Sequence, residues 1–152
     1  MVLEPTPSQT VGPYFTIGLG VPQNELVADD DPRAVRITGR VLDGAGIAVP
    51  DALVEIWQAT AGWGRCATDA DGRYAFVATR PGPIAMLVFA RGLLKPVLTR
   101  ISFPGETGGD PVLAAIEDAS LRQTLVAVEA DGGLQFDVRL QGDDQTAFFA
   151  VN

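Results

Sequence analysis

Two phenols (Tyr14 and Tyr74), one thiol (Cys66) and two aspartate pairs (Asp69 with Asp71, Asp143 with Asp144) are the side chains whose types and spacing suggest chemistry in this sequence. None has a histidine to work with, because the 152-residue chain contains none. Histidine is the usual general base near neutral pH and the commonest ligand of zinc, copper and non-haem iron, so most single-chain catalytic and metal constellations are ruled out. Asp69 and Asp71 before Gly72 have the spacing that opens a calcium loop, but the other ligands and closing glutamate of an EF-hand are missing, which leaves a solvated turn. Asp143 and Asp144 beside Gly142 read as a loop. Cys66 follows Arg65, which favours a thiolate, yet no base is at hand and the residue reads as a buried structural thiol. Two tyrosines are chemically able to hold ferric iron, but Tyr74 alternates with Phe76 in a strand pattern and reads as packing. The chain is expected to carry no catalytic residue and no metal ligand of its own, so any chemistry needs a partner.

The elements that must position these groups are mostly strands. A chain of this length is expected to make one domain with a real core, and 47% hydrophobic with 20% charged residues is a globular composition. The net charge of -8 disfavours nucleic acid and anionic membrane surfaces as partners. No apolar run is long enough to span a bilayer, the N-terminus lacks a signal peptide's basic and apolar regions, and a single cysteine makes no internal disulfide. These features together point to the cytoplasm.

Residues 1–34 hold five prolines (Pro5, Pro7, Pro13, Pro22, Pro32) and the acidic run Asp29 to Asp31, and read as an extended N-terminal arm. Residues 35–152 read as the folded domain. Val35 to Leu42, Ala52 to Gln58, Tyr74 to Val77, Ile84 to Arg91, Pro96 to Phe103, Leu125 to Glu129, Leu134 to Leu140 and Ala147 to Val151 are strand candidates. Val54 and Ile56 share one face of theirs, Glu55 and Trp57 the other. Asp43-Gly44, Asp71-Gly72 and Asp131-Gly132-Gly133 supply turns, and Asp110-Pro111 opens one short helix. The expected fold is an all-β sandwich of about eight strands with that single helix.

Several blocks of sequence resemble the intradiol ring-cleaving dioxygenases, and among them the α subunit of protocatechuate 3,4-dioxygenase. They are Thr6-Pro7-Ser8-Gln9-Thr10-Val11-Gly12-Pro13-Tyr14-Phe15, Gly39-Arg40-Val41-Leu42-Asp43-Gly44, Val54-Glu55-Ile56-Trp57-Gln58-Ala59, Gly64-Arg65-Cys66-Ala67-Thr68-Asp69, Val88-Phe89-Ala90-Arg91-Gly92-Leu93, and Phe136-Asp137-Val138-Arg139-Leu140-Gln141-Gly142 leading to Thr146-Ala147-Phe148-Phe149. They run collinearly from residue 6 to the C-terminus.

The resemblance implies homologous α and β sandwiches in a hetero-oligomer, with ferric iron on the β subunit held by two tyrosines and two histidines. It further implies a substrate cavity at the αβ interface, where protocatechuate is opened to 3-carboxy-cis,cis-muconate. The matching positions for all four ligands are empty here. The loop of the first tyrosine is reduced to Thr60-Ala61-Gly62-Trp63, Pro81-Gly82-Pro83 is followed by Ile84 where the second tyrosine stands, and the His-X-His stretch is missing. This is a loop-shortened α-like chain, expected to be inactive alone and to hold no cofactor. By the same resemblance Thr10, Gly12, Pro13 and Tyr14 of the arm lie beside the substrate, and Arg91 faces its carboxylate. Read without the resemblance, Arg91 is a solvated strand-end charge. The alternative function is a metal-free β-sandwich binding or interaction protein, or a designed minimal scaffold derived from the α fold, without dioxygenase activity.

Overall fold

Alternating hydrophobicity dominates residues 34–101, and in the computed structural model, which describes residues 6–10, 12, 15–19, 21–108 and 110–150, it produces two stacked sheets. The strands are β1 (Ala34–Leu42), β2 (Leu53–Gln58), β3 (Gly62–Ala67), β4 (Arg73–Thr79), β5 (Ile84–Phe89), β6 (Val97–Ile101), β7 (Val128–Ala130), β8 (Gly133–Gln135) and β9 (Val138–Arg139). One sheet has the order β4-β1-β8-β7, with β9 also on β1, and the other β3-β2-β5-β6. Most pairings are antiparallel; β8 and β9 run parallel to β1. The expected single strand over residues 134–140 is therefore two short ones.

The inward faces are those that the period-2 pattern selects. Ile37, Val41, Tyr74, Phe76 and Ala78 from the first sheet meet Val54, Ile56, Ile84, Met86, Val88 and Ile101 from the second. Several are wholly buried, and each such side chain contributes about 1.5–3 kcal/mol to the collapse.

Helix is more frequent than expected, with three short segments instead of one: α1 (Phe15–Leu19), α2 (Pro111–Ala114) and α3 (Ala119–Gln123). Asp110 caps α2 through Val112 N and Leu113 N, with Pro111 in the first turn as expected, but Ala115 ends the helix before Ile116. Asp118 caps α3 in the same way through Ser120 N and Leu121 N. The strand expected over residues 147–151 is reduced to one bridge, Leu98 to Phe149. The segment is held to β6 by that bridge and by the Thr99 hydroxyl, which donates to Ala147 O at 2.8 Å.

Residues 23–26 strap the open side of the sandwich. Gln23 exchanges two backbone hydrogen bonds with Arg65 on β3, while Val77 on β4 donates to Asn24 O and Leu26 donates to Val77 O. β3 and β4 are the edge strands of their sheets, so one segment covers two edges that would otherwise template aggregation. Gly64 is a condition of that approach: a Cβ there would lie 2.5 Å from Leu26 Cδ1 and 2.8 Å from Gln23 O. Replacing Gly64 with alanine is expected to lift the strap, costing about 1–3 kcal/mol as an overpacking change. Hydrogen exchange should then accelerate at the amides of Arg65, Val77 and Leu26 together, and exchange left unchanged would contradict this account.

Tyr74 ties the last strands to the first. Its hydroxyl donates to Phe136 O across Gly39, where any side chain would collide with that carbonyl. Burial, and then the charge of Asp137 and the neighbouring Cys66, pushes the phenol well above its ordinary range. An unfolded phenol ionises near pH ~10, so this contribution to stability is complete below that pH and is lost as the pH rises above it. Tyr74→Phe should lower stability at pH 7 by about 0.5–1.5 kcal/mol and flatten the fall in melting temperature on the alkaline side. An undiminished alkaline fall in the variant would assign it elsewhere.

Candidate functional site

The turn residues at the end of β5 bring together two of the side chains singled out by sequence. Ala90 is buried, and Arg91-Gly92 then leaves the sheet, Gly92 with φ +87°. Gly92 N donates to Thr10 Oγ1 at 2.9 Å. The arm is thus anchored beside Arg91 by a contact between residues 82 positions apart. Gly12 also has a positive φ, +71°, and nothing lies within 4 Å of the place a Cβ would take; the backbone conformation, rather than crowding within this chain, calls for glycine. Pro13 and Tyr14 lie outside the described residues.

Arg91 lines a cleft of about 650 Å³ with Val49, Leu93, Leu140 and Gln141, and Asp43 stands at its far side. Asp43 Oδ1 is engaged by Ala45 N and Ile47 N in a turn. The guanidinium of Arg91 is about half exposed, and its Nη2 lies 3.3 Å from Asp51 Oδ2. Asp51 reads in the sequence only as a turn residue after Pro50. The signal that finds it is the pairing of β2 with β5: Leu53 opposes Phe89, and two further steps along the same register put Asp51 opposite Arg91. A cleft of mixed polarity with one accessible guanidinium, beside the Thr10–Gly92 contact, can seat a small acid through charge-assisted hydrogen bonding to its carboxylate.

A second group of polar and aromatic side chains lies on the outer face of the sheet formed by β2, β3, β5 and β6. Trp57 and Trp63 are directly opposite each other and both exposed. Arg65 stacks over the Trp63 ring at 4.8 Å and donates from Nε to Glu55 Oε1 at 2.8 Å. Glu55–Arg65 is a cross-strand pair, mostly shielded from solvent. Trp57 was legible as an outward residue; its partnership with Trp63 follows from the short Ala59–Ala61 connection between β2 and β3.

The remaining candidates are structural. Asp69 Oδ1 accepts from Asp71 N and Arg73 N, which makes the turn. Cys66 is half-buried rather than buried, since it sits on edge strand β3, and its thiol donates to Ala67 O at 3.2 Å. Asp143 and Asp144 lie exposed in the loop before Thr146.

The donor set was tested against ferric iron. Tyr74 faces the core with its hydroxyl committed to Phe136 O, and burial opposes the phenolate that iron requires. Among the described residues no three of His, Cys, Asp and Glu come together as a metal cage. These residues do not fit a ferric site. No helix among the described residues is long and apolar enough to cross a membrane.

The sandwich is that of the ring-cleaving dioxygenases. Solved structures similar to this chain include the dioxygenase domain of a dioxygenase–carbohydrate-binding fusion from Streptomyces sp. SirexAA-E (27% identity, TM-score 0.62, covering 91% of this chain and 99% of that one). The fold is shared with the intradiol ring-cleavage dioxygenase of Tetranychus urticae at 14% identity and TM-score 0.56, over 96% of this chain and 95% of that one. No family model matches the chain. Curated relatives include the protocatechuate 3,4-dioxygenase α chain of Pseudomonas putida, 34% identical over 97% of each chain, and that of Burkholderia cepacia, 35% identical over 98% of each. The β chain of the Burkholderia cepacia enzyme is 30% identical over 79% of this chain and 70% of its own. The chain belongs to the intradiol dioxygenase family as an α-type chain of the protocatechuate 3,4-dioxygenase group. Its alignment with the Pseudomonas putida α chain runs over 195 positions, so more than forty of them have no counterpart in these 152 residues.

Thr10→Val removes the acceptor for Gly92 N while keeping the side-chain volume. The variant is expected to lose less than about 1.5 kcal/mol, to exchange the Gly92 amide faster, and to be cut more readily by protease within residues 6–10. Unchanged exchange at Gly92 would show that Thr10 does not anchor the arm.

Proposed function

We propose that this chain is the non-iron α subunit of a protocatechuate 3,4-dioxygenase, forming with an iron-bearing β subunit the pocket in which protocatechuate is opened to 3-carboxy-cis,cis-muconate. Residues 1–34 act as the arm and residues 35–152 as the body, working in the cytoplasm. The observation that carries the reading is the juxtaposition of Thr10 with Arg91-Gly92 beside a cleft that Arg91 and Gly92 line, in a chain matched end to end by protocatechuate 3,4-dioxygenase α chains. The ring-opening chemistry resides on the β subunit, because the donor set here does not fit iron.

The work of this chain is positional. Arg91 presents guanidinium N–H groups to the substrate carboxylate and offsets its charge. Thr10, Gly12, Pro13 and Tyr14 close over the aromatic ring, with Pro13 stiffening the segment and Gly12 giving it a backbone turn that other residues resist. Holding the ring in register with the partner's metal centre lowers the entropic part of the barrier. The relatives' missing positions favour a second reading, a metal-free binding protein on the same sandwich.

Co-expression with a β chain separates the two. The subunit reading expects an iron-coloured complex on size exclusion that consumes oxygen with protocatechuate, while the chain alone shows no turnover. In that complex Arg91→Ala should raise KM for protocatechuate about tenfold more than KM for catechol, as loss of a charged hydrogen bond of about 1.5–3 kcal/mol would. Equal effects on both substrates would remove the carboxylate role, and a colourless chain that ignores β would leave the binding reading.

A further inference from the structure

The backbone turn that carries the carboxylate facing Arg91 is held on both sides, while the Oδ1 of that carboxylate is buried without a hydrogen-bond partner. Asp51 is the one non-glycine with a left-handed backbone among the described residues, at φ 56°. At the third position of a turn after proline, glycine is the ordinary occupant of that conformation, and aspartate is among the few residues with a side chain that tolerate it. The turn is clamped from both sides by one buried hydroxyl. Thr68 Oγ1 donates to Val49 O at 2.9 Å and accepts from Ala52 N at 2.9 Å, so the residues flanking Pro50-Asp51 are fixed to the same atom. Thr68 N adds a bond to Ala52 O at 2.8 Å. Ala52 is fully buried, which leaves the turn no freedom to slide.

From this fixed base the side chain reaches Arg91, two register steps beyond the last β2–β5 pair, with Oδ2 3.3 Å from Nη2. Among the described residues Asp51 is the ion-pair partner of that guanidinium. Arginine carries five N–H donors in a rigid fork, so an ion pair made on the Nη2 side leaves the other edge of the fork to present N–H groups to another oxygen. Arg91 itself follows the end of β5 in an exposed turn, where an unpaired long side chain would sample many rotamers.

We propose that Asp51 is a positioning residue for Arg91: the clamped turn holds its carboxylate where it orients the guanidinium toward the cleft, and so sets the preference for ring substrates that bear a carboxylate. The proposal rests on the substrate role given above to Arg91. It accounts for an aspartate where glycine would be less strained.

Asp51→Gly and Asp51→Asn test it. In the nitrogen-labelled chain alone, both variants should leave the fold intact, with the glycine variant melting no lower than the parent, while NMR shows a more mobile Arg91 guanidinium. In the complex with a β chain, both should raise the protocatechuate-to-catechol KM ratio roughly threefold, the scale of a half-exposed ion pair, with kcat changing less than KM. Adding either Asp51 variant to Arg91→Ala should give no further rise beyond that of Arg91→Ala alone. A guanidinium equally mobile with and without Asp51, or a KM ratio that falls because the carboxylate competes with substrate, would overturn the proposal. If Arg91→Ala alone leaves the ratio unchanged while the variants still mobilise the guanidinium, it is the substrate role of Arg91 that fails, and the specificity claim fails with it.

Discussion

Four backbone hydrogen bonds, from residues 23–26 to Arg65 and Val77, hold the two sheets as a closed sandwich on one side and determine where the rest of the chain can go. They satisfy donors and acceptors that edge strands leave open. They also fix the chain ahead of β1 at residues 23–26. With these residues held at β3 and β4 and Thr10 bonded to Gly92, the chain before β1 is pinned to the body at two places. A segment tied in this way loses little further entropy when something binds against it.

The sheets were legible in the sequence because their inner faces follow a period of two over much of their length. Val54 and Ile56 inward with Glu55 and Trp57 outward are reproduced by the structure, whereas β4 is buried at four consecutive positions, Phe76 to Thr79. Turns with Asp-Gly were legible because few residues accept their backbone angles. Illegible were the elements decided by tertiary packing: the break between β8 and β9, the third helix, and the collapse of residues 147–151 to a single bridge. Local propensity is weak in such short pieces, and the neighbouring strand determines their length.

The site was legible to a different degree. Arg91 and the arm were singled out by likeness to a family, and in the structure Thr10 accepts a hydrogen bond from Gly92, the neighbour of Arg91. Asp51 was not found, because an aspartate after proline is an ordinary turn signal and says nothing about the strand opposite. Only the register of β2 against β5 converts it into a partner for Arg91. Residues whose role depends on pairing across a sheet are hidden in this way whenever their local sequence already has a sufficient explanation.

Trp57 and Trp63, the two tryptophans of the chain, form one cross-strand pair on the outer face, both in contact with solvent, with the Arg65 guanidinium stacked on Trp63. The indole emission of this molecule therefore arises from a single patch and carries no signal from the core. Unfolding would change its colour little, since the fluorophores begin already wet, whereas a surface that covers β2 and β3 would shift it to the blue. The fold thus has a built-in optical label for one face, blind to the other.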